Sequence, residues 1–194
     1  NARQLPASAT VWSADGVLVT ASHVIEDEDE VEVALPDGST RPARVVGRDP
    51  STDLSVLRVE ATGLEPARWT DDSPGVGGLV LAVTRPGRTA RASLGALHAD
   101  ADDWRTPAGG RVERYLEANV SLHPGLSGGV LVDVEGRALG LLTSGLLRGR
   151  AVALPPATLR RVVEDLLAHG AVRRGYLGVA TLPVRLPTAL AQTL

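Results

Sequence analysis

A serine hydroxyl is a weak nucleophile until a base takes its proton, and that base needs a third group to fix its tautomer. Gly125-Leu126-Ser127-Gly128-Gly129 is a backbone suited to such a serine. Glycines on both sides let the chain turn sharply, gather its N–H groups inward and hold the Ser127 hydroxyl outward. Ser-Gly-Gly is also ordinary turn chemistry between strands, so the stretch acquires meaning only from its context. Two other segments supply that context. His23 lies in Val19-Thr20-Ala21-Ser22-His23-Val24-Ile25, and Asp53 in Thr52-Asp53-Leu54-Ser55-Val56-Leu57. A nucleophile, a base and an orienting acid for acyl transfer are all present.

These three side chains are far apart in the chain, so the fold must bring them together. From Val11 onward, short apolar runs alternate with turn signals: Val17-Leu18-Val19, Val31 to Leu35, Arg44-Val45-Val46 and Leu54 to Val59. Strands of this length and spacing predict an antiparallel barrel or sandwich. His23 follows directly on one strand and Asp53 opens another, which places both at strand edges. After a link at Thr62-Gly63-Leu64-Glu65-Pro66, a second set of runs begins at Leu79, Ala92, Tyr115, Val130, Leu139 and Ala151. Ser127 belongs to this second lobe, so the site is expected in the cleft between lobes. Asn1 to Ala9 reads as a loose arm or truncated strand, and Ala99 to Arg111 as a mobile loop. Beyond Pro155-Pro156, Leu159, Val162, Val163, Leu166 and Leu167 recur at helical spacing and Gly170 ends the pattern. The predicted helix, about 157–169, is expected to pack its aliphatic stripe on the second lobe.

The chain has 194 residues, 43% hydrophobic and 22% charged, an ordinary globular balance with no Phe and only 3% aromatics. A core built from Val, Leu and Ala follows. The net charge is −3 with no basic run, which argues against nucleic acid as a partner. No stretch reaches the roughly 20 apolar residues of a membrane span, and an export signal or membrane anchor would lie outside these residues. With no cysteine, disulfides and thiolate-bound zinc are excluded. The run Glu26-Asp27-Glu28-Asp29-Glu30 lacks the ligand order of a calcium loop and reads as a solvated loop, so no metal or cofactor is expected.

Taken together, the three segments resemble the HtrA/Deg family of trypsin-like serine proteases. Thr20-Ala21-Ser22-His23-Val24-Ile25 is similar to the family's histidine block, and Asp49-Pro50-Ser51-Thr52-Asp53-Leu54 to its aspartate block. Residues 119–131 are similar to its serine block. The resemblance implies an all-β, chymotrypsin-like pair of six-stranded barrels, at about 10–62 and 75–155, within a protease domain of residues 1–170. It implies Ser127 as nucleophile, His23 as general base, Asp53 as its orienter, and the N–H groups of Gly125 and Ser127 as the oxyanion hole. Leu122 and the strand Leu142-Thr143-Ser144 correspond to walls of the pocket for the residue before the scissile bond, whose aliphatic lining favours small or medium apolar side chains. Gly175-Tyr176-Leu177-Gly178 is similar to the start of a PDZ domain, begun at 171–194 and incomplete. The family implies unfolded or extended polypeptides as substrates, an extracytoplasmic location and a homotrimer. Trimerisation is doubtful for this chain, whose N-terminal region lacks the aromatic contacts involved. The alternative reading is a resting or inactive protease-fold module that binds unfolded chains. Leu126 and His123 stand where the family has asparagines, and His123 is read as lining the rim. His98 and His169 read as surface residues.

Overall fold

Valine- and leucine-rich runs, interrupted by glycine and aspartate at the turns, pair into two large antiparallel sheets and a small hairpin among the described residues, and one aliphatic stripe forms a helix. The computed structural model describes residues 7–25 and 29–172. In the first lobe, β1 (Thr10–Ser13), β2 (Val17–Ala21), β3 (Glu30–Ala34), β4 (Thr40–Asp49) and β5 (Leu54–Val59) form a sheet in the order β1-β2-β5-β4-β3. In the second lobe, β6 (Leu79–Thr84), β7 (Arg91–Ala101), β10 (Tyr115–Asn119), β11 (Val130–Asp133), β12 (Ala138–Thr143) and β13 (Ala151–Leu154) close into a barrel, and β8 (Trp104–Arg105) and β9 (Arg111–Val112) form a small hairpin. The second lobe has the six-stranded closure that the resemblance implied. The first shows five strands in an open ladder among the described residues.

β2 explains how the lobes join. All five of its residues are buried, although successive strand side chains point to opposite faces. Leu18 faces Leu35, Leu57 and Val59 inside the first lobe. Val17 and Val19 face the other way, into a core shared with Leu54 and Val56 of β5, Leu141 of β12, and Val152 and Leu154 of β13. Helix α1 (Pro156–His169) fills the same core with Leu159, Val162, Val163 and Leu166. Its start at a proline and its end at a left-handed Gly170, whose N–H caps Leu166 O at 2.9 Å, are as the pattern predicted. Its placement is not. The stripe packs in the seam between the lobes rather than on the second lobe alone, because the outward faces of β2 and β5 offer a second apolar wall.

Two other expectations are corrected. Residues 99–111 are not a mobile loop: β7 runs to Ala101, and the β8–β9 hairpin crosses to the first lobe. There the Thr106 hydroxyl donates to Ser51 O at 2.6 Å, and Thr106 is buried. Nor is the end of the N-terminal arm loose, since Ser8 is buried with 4% of its surface exposed. His98 and His169 are exposed, although His98 lies on β7 rather than on a loop. Glu26, Asp27 and Glu28 of the acidic run, and Gly175 to Gly178, lie outside the described residues.

Candidate active site

The first lobe builds a histidine and an aspartate against each other. β2 ends in a single turn of 3-10 helix, Ser22–Val24, which carries His23 off the sheet edge with 39% of its side chain exposed. The turn before β5 is fixed by Asp49, whose carboxylate accepts the hydroxyls of Ser51 and Thr52, each at 2.7 Å. Asp53 then takes φ +57°, and among the described residues it is the one non-glycine with positive φ. That conformation costs roughly 1–2 kcal/mol, and it is held by the Ser22 N–H on Asp53 O at 3.0 Å and by the β2–β5 ladder that starts at Ala21 and Leu54. Strain held by its surroundings is common where a side chain must be aimed.

The aim is evident in the contacts. Asp53 Oδ2 lies 2.8 Å from His23 Nδ1, and Oδ1 accepts the His23 backbone N–H at 2.9 Å. Both carboxylate oxygens therefore grip one residue, Nδ1 carries the proton, and Nε2 is left with its lone pair. The Asp53 hydrogen bond holds the His23 proton to a pH above the ordinary value of 6.5, against the opposing effect of partial burial and with help from the carboxylate's charge. Thr143, at the end of β12, donates its hydroxyl to Asp53 Oδ2 as well. Next to it, Gly145 leaves the room this pair requires: a Cβ there would stand 2.4 Å from His23 Nδ1 and 2.6 Å from Asp53 Oδ2.

The second lobe builds the serine turn. The Leu126 N–H donates to His123 O at 3.1 Å across Pro124 and Gly125, and Gly125 has φ +93°, the features of a type II turn. Leu126 points into the barrel core beside Leu116 and Leu142, so the residue that replaces asparagine anchors the turn by burial. Gly128 also has positive φ, and a Cβ on it would lie 1.8 Å from Ser8 O. Ser8 laces the turn to the first lobe. Its N–H donates to Ser127 O at 3.1 Å, its hydroxyl to Gly125 O at 2.8 Å, and its own carbonyl accepts the Thr20 hydroxyl at 2.7 Å. The backbone N–H groups of Gly125 and Ser127 have no acceptor among the described residues.

Ser127 Oγ lies 3.1 Å from Ser144 Oγ and accepts the Ser144 N–H at 3.2 Å. It makes no hydrogen bond to His23 among the described residues, although Ser144 adjoins the Gly145 that abuts the imidazole. Of the pocket residues expected from sequence, Leu122 and Ser144 reach solvent, whereas Leu142 and Thr143 are fully buried. Leu142 packs inside the barrel and Thr143 serves Asp53, so neither presents a side-chain surface to a ligand. Ser8 and Gly145 were missed as contributors to the site. The Ser8-Ala9-Thr10 segment before the histidine strand was the available signal for the first, and nothing local marked the second.

A family profile described as the trypsin-like peptidase domain matches residues 7–141. The chain belongs to the trypsin-like peptidase family. Its relatives are of the HtrA/Deg kind. A probable periplasmic serine endoprotease DegP-like of Chlamydia pneumoniae is 33% identical over 179 residues, 89% of this chain and 36% of that protein. Its namesake in Bartonella henselae is 37% identical over 180 residues, 89% of this chain and 35% of that one. Among solved structures, the HtrA-type protease AlgW with a decapeptide superposes with a TM-score of 0.79 at 32% identity, over 97% of this chain and 59% of its own. The serine endoprotease from Yersinia pestis gives 0.74 at 31% identity, over 90% and 62%. The chain spans little more than a third of the length of the curated relatives it matches. All-β, with a closed six-stranded barrel, a second sheet and one helix, it has the chymotrypsin-like architecture of the HtrA proteases.

Proposed function

We propose that this chain is a serine endopeptidase domain acting through Ser127, His23 and Asp53. In this reading residues up to about 170 make the domain, and the segment that follows begins a PDZ module. Ser127 attacks the scissile carbonyl, and His23 Nε2 takes its proton and later gives it to the leaving amine. Asp53 holds the Nδ1–H tautomer and stabilises the imidazolium. The free N–H groups of Gly125 and Ser127 receive the oxyanion of the tetrahedral intermediate. These roles are those of the serine protease triad. The observation that carries the reading is the double grip of Asp53 on His23, 2.8 Å at Nδ1 and 2.9 Å at the backbone N–H, together with a serine turn whose Gly125 and Ser127 N–H groups have no acceptor among the described residues.

Substrates on this reading are unfolded or extended polypeptides, which pair their backbone with strand edges beside the cleft. The neighbouring structure solved with a decapeptide supports a peptide ligand of this form. Relatives named as periplasmic support a location outside the cytoplasm, where this reading assigns the chain to protein quality control. A second reading, a resting module that binds unfolded chains without cleaving them, is favoured by one observation: Ser127 Oγ is bonded to Ser144 rather than to the imidazole.

Labelling with a fluorophosphonate probe and locating the adduct by mass spectrometry separates the two. Adduct on Ser127 in the wild type, absent in His23→Ala and Ser127→Ala, supports the peptidase. A folded chain that takes no label and still binds unfolded protein, unchanged in Ser127→Ala, supports the resting module.

A further inference from the structure

The serine turn runs through three peptide groups held by different means; the last of them, Leu126–Ser127, has its carbonyl held by the Gly129 N–H at 3.0 Å. The Gly125–Leu126 peptide is fixed at both ends, with Gly125 O accepting the Ser8 hydroxyl and the Leu126 N–H donating to His123 O. The Pro124–Gly125 peptide is the one whose N–H belongs to Gly125, and that N–H has no acceptor among the described residues. In a trans peptide the carbonyl and the N–H point in opposite directions, so whatever holds Pro124 O also aims Gly125 N–H. Rotating this peptide by half a turn interconverts type II and type I turns, takes Gly125 from positive to negative φ, and points its N–H to the opposite face. His123 Nδ1 lies 3.0 Å from Pro124 O. A carbonyl only accepts, so Nδ1 carries the proton and donates. No other donor reaches Pro124 O among the described residues.

We propose that His123 is a positioning residue of this site: its Nδ1–H latches the Pro124 carbonyl and so keeps Gly125 N–H turned toward the reacting carbonyl. This rests on the Ser127 reading above. It assigns to a ring expected merely to line the rim the task of keeping the oxyanion turn receptive from within a single chain. Leu126 in the barrel core and Ser8 across the lobes hold the turn in place, and His123 sets the orientation of the Pro124–Gly125 peptide.

The test uses three variants and an internally quenched peptide with valine before the scissile bond. His123→Asn puts an amide donor close to where Nδ1 stands, His123→Ala removes it, and His123→Asp puts an acceptor there with the shape of asparagine. A single hydrogen bond is a matter of several-fold, and a lost oxyanion donor of about a hundred-fold or more in kcat. The expected order in kcat is Asn within about twofold of wild type, Ala down about fivefold and Asp down about a hundredfold, with KM and melting temperature little changed. Asn above Ala decides the matter without any change of charge. Packing alone would make Asn and Asp alike. A flat series, or Asn and Asp falling together, overturns the latch while Ser127-dependent turnover of the wild type keeps the peptidase reading. A wild type no faster than Ser127→Ala overturns both.

Discussion

The histidine side and the serine side of the site are built to different degrees of completion. On the first lobe, His23 and Asp53 are bound directly to each other, to neighbouring backbone and to Thr143. On the second, the Ser127 backbone is fixed through Ser8 and Leu126, yet its hydroxyl rests on Ser144. On the proposed reading, the base His23 is set before substrate arrives, and the Ser127 hydroxyl exchanges its Ser144 partner for the imidazole when substrate binds. Apo sites commonly show such loose or misaligned catalytic bonds, which tighten around substrate. A strained, buried aspartate can be held only by rigid surroundings, whereas a serine hydroxyl is one χ1 rotation from another partner.

The largest expected effect comes from removing either side altogether. Ser127→Ala or His23→Ala should lower kcat by on the order of a million-fold, measured on a peptide substrate. Asp53→Asn should lose about 10⁴-fold, because the amide no longer enforces the Nδ1–H tautomer. Near-wild-type turnover in any of these would remove that residue from the mechanism. Next is Gly145→Ala, whose Cβ would stand 2.4 Å from His23 Nδ1 and push the imidazole aside. A displacement of this size costs on the order of a hundredfold. The loss should appear in kcat with Ser127 and its turn untouched, so wild-type activity would mean the His23–Asp53 geometry tolerates a shift.

The pH profile tests the histidine side alone. The bond to Asp53 raises the His23 pKa above 6.5. If His23 is the general base, as proposed, activity requires the neutral imidazole, and kcat/KM should climb with pH through a midpoint above that value. The linkage runs the other way for folding. The stabilisation from protonated His23 is fully present below its unfolded pKa and is lost as pH rises through the folded one. A flat profile between about pH 5 and 9 would count against His23 as the base. The smallest effect tests the serine side: Ser144→Ala removes one of the two tethers on Ser127 Oγ and should raise fluorophosphonate labelling several-fold. A fall instead would mean that Ser144 orients the hydroxyl for attack.

Much of this was legible in the chain. The strand runs, the helix start at a proline and end at Gly170, and the three chemistry-bearing segments all depend on neighbours within a few residues, where periodicity and turn chemistry operate. Sequence placed His23 at the end of one strand and Asp53 at the start of another, and β2 and β5 do so. What stayed hidden depends on partners distant in the chain. Ser8 reaches Gly125 across 117 positions, and Thr143 reaches Asp53 across 90. No local pattern encodes a hydrogen bond of that span. The space Gly145 leaves for the imidazole, the helix seated between lobes and the hairpin resting on Ser51 likewise arise only when two sheets, each already formed, close on a shared core. Residue type set the available chemistry; packing across the seam decided that Asp53 is bonded to His23 and that the Ser127 hydroxyl is bonded to Ser144.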